Sequence, residues 1–190
     1  MDDDEARRRV VDAADALFYA RGIRGVGMDA VRSRSGVSLK RIYALFPSKD
    51  DLVVAVLRGR SALWNEGVAG AAAAAGTPRE RLLAVFDFLE RWFCEDDFRG
   101  CAFINAFGEV GGTSPVVADL VRSQKADFVE HVAALVDEIG GSRELAAQLA
   151  LLAEGAQTTA AITGGGETAR VARRAAEVLV DTELAATVPA

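Results

Sequence analysis

Apolar side chains recur in this chain at intervals of three and four residues, segment after segment, and that period admits helices while leaving no room for long strands. Val10, Ala14, Leu17 and Phe18 set the spacing over residues 6 to 21, and Gly22 ends it. A short helix is predicted over Met28 to Ser35, then another after a turn at Gly36. A long pattern runs from Lys49 through Leu52, Val53, Val56, Leu57 and Leu63 to Trp64 and Val68. It fades over Gly70 to Gly76, where the alanine run Ala71 to Ala75 either extends the helix or frays. Thr77-Pro78-Arg79-Glu80 is a restart, with threonine as N-cap, proline in the first turn and glutamate reaching back as a capping box. The segments that follow are Pro78 to Cys94, Gly100 to Val110, Ser114-Pro115 to Ile139, Ser142 to Thr163 and Glu167 to Leu184. Gly164-Gly165-Gly166 joins the last two as an antiparallel hairpin. The fold class is therefore all-α, with about nine helices.

One stretch, Gly36-Val37-Ser38-Leu39-Lys40-Arg41-Ile42-Tyr43-Ala44-Leu45-Phe46-Pro47-Ser48-Lys49, has the shape of a DNA-reading element. Gly36 supplies the left-handed conformation that a sharp helix-to-helix turn demands, and Ser38 is a good N-cap. Ile42 and Leu45 then face inward while Lys40, Arg41 and Tyr43 point outward, presenting two cations and a phenol to a phosphate backbone. Pro47 stops the helix, and Ser48 caps the next one, whose early Lys49 is a second anion-attracting point. The preceding short helix buries Met28 and Val31 and leaves Arg32 and Arg34 exposed.

The ending Tyr43-Ala44-Leu45-Phe46-Pro47-Ser48-Lys49-Asp50-Asp51-Leu52 after Gly36-Val37-Ser38 resembles the N-terminal domain of TetR-family transcriptional regulators. The resemblance implies an all-helical homodimer in which residues 1–48 form a helix-turn-helix DNA-binding domain. Residues 49–190 would form the helical domain for effector binding and dimerisation. It further implies a double-stranded, near-palindromic operator, a small-molecule effector and, by default, repression. Two positions depart from the family pattern. Gly27 stands where serine or threonine is usual, which weakens a cap, and Arg32 replaces a small residue, which adds a phosphate contact or alters a packing angle.

Charge fits a DNA-binding head on an acidic body. The chain of 190 residues has a net charge of −6, yet Arg21 to Lys49 holds seven cations against the single anion Asp29, a net of +6 that leaves −12 for the rest. With 51% hydrophobic residues a substantial core is available. No apolar run reaches the roughly 18 residues needed to span a bilayer, so a cytoplasmic protein without membrane association is expected. Cys94 and Cys101 lack partners at metal-ligand spacing, and no metal or cofactor is expected.

The expected DNA contacts are Arg32, Arg34, Ser38, Lys40, Arg41, Tyr43 and Lys49. Arg41 has the fork geometry for a guanine edge, Lys40 reads a base or a phosphate, and Lys49 and the Tyr43 hydroxyl suit phosphate. Catalysis is not expected: the lone histidine, His131, has no nucleophile at a recognisable spacing, and consecutive Glu95-Asp96-Asp97 diverge on a helix end. An apolar pocket with sparse polar groups is expected instead, from Trp64, Phe86, Trp92, Phe103, Asn105, Phe107, Gln124, Phe128, His131 and Gln157. The small-residue faces of the last two helices, with Leu149, Leu152, Ala153, Ala156 and Ala160 on one and Val171, Ala175 and Val178 on the other, are expected to form a two-fold interface. The alternative is a helical small-molecule-binding protein or enzyme retaining a non-functional helix-turn-helix. A basic stretch in an acidic chain argues against such a remnant.

Overall fold

The computed structural model describes residues 1–187, and the C-terminal end of the expected 49–190 domain lies outside them. Among the described residues there are nine helices and no strand: α1 (Asp3–Arg21), α2 (Met28–Ser35), α3 (Leu39–Leu45), α4 (Lys49–Ala73), α5 (Pro78–Phe93), α6 (Ala102–Val110), α7 (Pro115–Asp137), α8 (Arg143–Thr163) and α9 (Glu167–Thr187). None is long and apolar enough to cross a membrane.

Local chemistry sets the ends. The Asp2 carboxylate caps α1 by accepting from the Glu5 N–H at 2.8 Å. Gly27 makes no side-chain cap on α2, as the sequence implied, and the helix closes on Gly36 at φ +68°, a left-handed conformation that a β-carbon would disfavour. The Ser38 side chain accepts from the Arg41 N–H at 3.4 Å at the start of α3. Ser48 and Asp51 form a reciprocal box at the start of α4: Ser48 Oγ accepts from the Asp51 N–H (3.1 Å) and Asp51 Oδ2 accepts from the Ser48 N–H (2.9 Å). The box predicted from Thr77 and Glu80 is present with Pro78 in the first turn, and α4 takes in the alanine run as far as Ala73.

The chain divides into two compact units, one comprising Met1–Ala62 with Cys101–Gln124 and the other Leu63–Gly100 with Lys125 onward. The first unit is thus wider than the segment 1–48. Val10, Phe18, Val31, Ile42, Phe46 and Leu52 share one core with Phe103, Ala106, Val117 and Val121 of α6 and α7. Short helices need tertiary burial to persist, and α2 and α3 alone cannot supply it.

In the second unit α5, α8 and α9 pack on one another around Leu82, Phe86, Leu89, Phe93, Leu149, Ala153, Ala172, Ala176 and Val180. Ion pairs Arg79–Asp181 (2.8 Å), Arg173–Asp87 (2.6 Å) and Arg170–Glu90 (2.8 Å) run along the α5–α9 seam. This packing corrects part of the expected two-fold face. Leu149, Ala153, Ala156 and Ala160 are at most 4% exposed within the single chain, because small residues here let α8 approach its own neighbours. Leu152 is half-buried against the same core, whereas Val171, Ala175 and Val178 remain exposed. The open face of α8 instead carries Leu151 and Ile162, 73% and 80% exposed.

Candidate nucleic-acid interface

Helix α3 is held from beneath by Ile42 and Phe46, both fully buried, and from its end by Arg7. The Arg7 guanidinium donates to the Leu45 carbonyl at 3.1 Å and lies 4.5 Å over the Phe46 ring. Ser35, buried in the turn, accepts from the Val37 N–H at 3.2 Å and so fixes the angle between α2 and α3. These ties leave one face of α3 free of packing duties.

Lys40 and Tyr43 stand on that free face, Tyr43 at 46% exposure, and Arg34 is exposed at the end of α2. Arg32 is also exposed but pairs with Asp29 at 3.2 Å, a contact that phosphate can displace at small cost. Ser38 is exposed with its oxygen engaged in the cap. Arg41 is only 32% exposed: its Nη2 donates to the Asp3 carboxylate at 2.8 Å and to the Met1 carbonyl at 2.9 Å.

Lys49 departs from its expected place. Its ammonium turns inward and donates to the carbonyls of Ile23 (2.5 Å) and Val26 (2.6 Å), 5.7 Å from the Phe18 ring. Burial pushes its pKa below the ordinary lysine value, against the attraction of Glu109 and Asp50. The reason is the α1–α2 connection, whose carbonyls find no helical partner and are met by this cation. From the other side Glu109 of α6 accepts the Arg24 N–H at 2.9 Å, and a β-carbon on Gly22 (φ +78°) would lie 2.8 Å from the same carboxylate oxygen. Lys49 thus ties the α1–α2 connection to the start of α4 and does not point outward as expected. Neither Glu109, a candidate only as a polar group of the effector pocket, nor Arg7 was among the expected DNA contacts. The Arg7-Arg8-Arg9 run was a signal for the latter, whereas nothing local connects Arg24 to a residue 85 positions later.

The expected effector residues fall into two groups. Phe103, Asn105, Phe107 and Gln124 belong to the first unit. Phe103 is core, Phe107 is 43% exposed with Arg122 5.9 Å from its ring, and Asn105 lines a small cavity of about 30 Å³ beside Tyr19, Arg60 and Glu109 that has room for a water rather than an effector. The Gln124 side-chain oxygen is buried and has no hydrogen-bond partner among the described residues. In the second unit Trp64 is the hub of a ring cluster, edge-on to Phe88 (5.2 Å), Trp92 (5.6 Å) and Phe128 (5.6 Å), and Trp92 meets Phe98 at 5.0 Å. Phe86 is plain core, and Gln157 is buried with a weak bond to the Ala153 carbonyl at 3.4 Å. His131 is on the exposed side of α7 rather than in the core, although partial desolvation lowers its pKa from the usual imidazole value.

The family model described as bacterial regulatory proteins, tetR family, matches residues 10–56, the segment that builds α1 to α3 and the start of α4. Over nearly its whole length the chain is also similar to a solved structure assigned as a tetR transcriptional regulator, sav143 from Streptomyces avermitilis. Identity is 33%, coverage is 94% of this chain and 97% of that one, and the TM-score is 0.81. The chain belongs to the TetR family. Among curated relatives of this TetR-family protein, the HTH-type transcriptional repressor KstR of Mycolicibacterium smegmatis is 32% identical over 135 residues, 71% of this chain and 61% of that protein. The HTH-type transcriptional activator FasR of the same organism is 37% identical over 91 residues, 46% of this chain and 42% of that protein. The aligned regions thus span less than two thirds of either relative.

Proposed function

We propose that this TetR-family protein is a ligand-responsive transcriptional repressor that binds a near-palindromic duplex operator as a homodimer and is released by a small, largely apolar effector. The observation that carries the reading is the free face of α3, where Lys40 and Tyr43 stand exposed above a buried Ile42 and Phe46, next to Arg34. A short helix with one face anchored and the other cationic suits a major groove. Residues 1–48 carry the DNA contacts, and residues 49–190 carry the effector and dimer surfaces. The dimer is supported by exposed apolar side chains that share a face on each of two adjacent helices: Leu151 and Ile162 on α8, and Val171, Ala175 and Val178 on α9. A second copy covers them by two-fold symmetry.

The effector region is assigned to the rings around Trp64, and effector and DNA weaken each other by about 1–3 kcal/mol of coupling. The protein acts in the cytoplasm and carries out no catalysis. A gel shift with the DNA upstream of its own gene tests the reading, together with a reporter fused to that DNA. Reporter output that rises when the gene is deleted supports repression, output that falls assigns activation as in the FasR name, and the absence of any shift rejects DNA regulation at that site.

A further inference from the structure

Among the described residues, one cation of the reading helix is already occupied. Lys40 and Arg34 are exposed and make no ion pair, whereas Arg41 is held against the start of α1 through its Nη2, shared between Asp3 Oδ1 and the Met1 carbonyl. We propose that Asp3 is an internal competitor for Arg41, lowering affinity for DNA that cannot offer this guanidinium a better partner and thereby sharpening the choice of site. The proposal rests on the DNA-binding reading above and goes beyond it by assigning a specificity role to a carboxylate outside the helix-turn-helix.

Capping does not require Asp3. Asp2 already accepts the Glu5 N–H, and Asp4 and Glu5 place two further negative charges in the first turn of α1, where the helix dipole favours them. Asp3 is 80% exposed, so its pairing with Arg41 is a contact that breaks readily. The fork is also incompletely used, since Nε and Nη1 of Arg41 have no partner among the described residues. A guanine edge presents two acceptors in line and displaces one carboxylate oxygen, whereas a lone phosphate offers Arg41 little more than Asp3 does. Arg41 therefore leaves Asp3 at sites with a guanine in reach and stays with it elsewhere.

The test is a salt series of fluorescence anisotropy titrations with a random-sequence duplex, using the full chain and its variants Asp3→Asn, Asp4→Asn, Arg41→Gln and Asp3→Asn/Arg41→Gln, each checked for helicity by circular dichroism. Asp3→Asn is expected to tighten binding about two- to fivefold at moderate salt. It also steepens the log–log salt slope by up to about 0.9, because a freed Arg41 then releases a counterion from phosphate. In the Arg41→Gln background Asp3→Asn adds nothing. Equal gains from Asp3→Asn and Asp4→Asn, or a gain that survives in Arg41→Gln, reduce the effect to general charge repulsion and overturn the proposal, as does no gain at all. A folded wild-type protein that binds no duplex overturns the regulator reading and this proposal with it, a failure distinct from wild-type binding that Asp3→Asn leaves unchanged.

Discussion

Ile162→Arg separates the dimer face from the protomer core. Ile162 is 80% exposed in the single chain, and burying a whole side chain of this kind contributes about 1.5–3 kcal/mol, so covering its exposed part contributes roughly 1.2–2.4 kcal/mol per protomer. Two-fold symmetry counts it twice. Loss of roughly 2.5–5 kcal/mol corresponds to an increase in the dimer dissociation constant of about 10²- to 10³-fold or somewhat more, before any cost of burying the arginine. Sedimentation velocity at micromolar protein should then show monomers that keep their helical circular dichroism, because an exposed position tolerates the charge with a stability change within about 0.5 kcal/mol. Ala160→Arg is the contrast. Ala160 is 1% exposed and its replacement inserts a long cation into the packing of α8, so that variant loses thermal stability whether or not it dimerises. An Ile162→Arg protein that dimerises with unchanged affinity, or that unfolds as readily as Ala160→Arg, refutes the assignment.

Two further outcomes follow from the head and from α7. Lys49→Met removes the donor for the Ile23 and Val26 carbonyls and should cost about 1–3 kcal/mol in urea unfolding, with weaker binding to every duplex but an unchanged salt slope; a slope reduced by about one places the ammonium on phosphate instead. His131, with a folded-state pKa below the ordinary value, binds its proton more readily when unfolded, so its contribution is complete above about pH 6.5 and is lost as pH falls toward and through the folded-state value. Urea midpoints measured on both sides of pH 6.5 should fall further for the wild type than for His131→Gln, and equal falls remove the histidine from the account.

The parts of this fold legible in the sequence are those encoded within three or four residues. Gly36 closing α2, Ser38 and Ser48 opening α3 and α4, and Thr77 with Glu80 opening α5 are each local hydrogen-bonding solutions, and the structure contains all of them. Periodicity also separated Ile42 from Lys40 and Tyr43, because an apolar stripe and an exposed face differ within one turn. What was not legible is which surface covers which. The small faces of α8 look the same in sequence whether a neighbouring helix or a second copy buries them, whereas Ile162 and Leu151 stand open on the other side. Phe103 and Trp64 both read as aromatic pocket walls, yet they lie in different units. Lys49 looked like an anion site because its partners are carbonyls more than twenty residues away, and the Glu109 contact with Arg24 spans a distance that no periodicity reports.

The central claim is that the exposed face of α3 reads duplex DNA. Its most direct test is the affinity of wild type and Arg41→Ala for single-base variants of whichever upstream fragment the protein shifts. The account predicts that the wild type loses about 1–3 kcal/mol at a few symmetric positions, and that Arg41→Ala loses its preference at one position of each half-site while keeping the others. A wild type that binds all variants equally, or an Arg41→Ala protein whose base preferences are unchanged at every position, contradicts it.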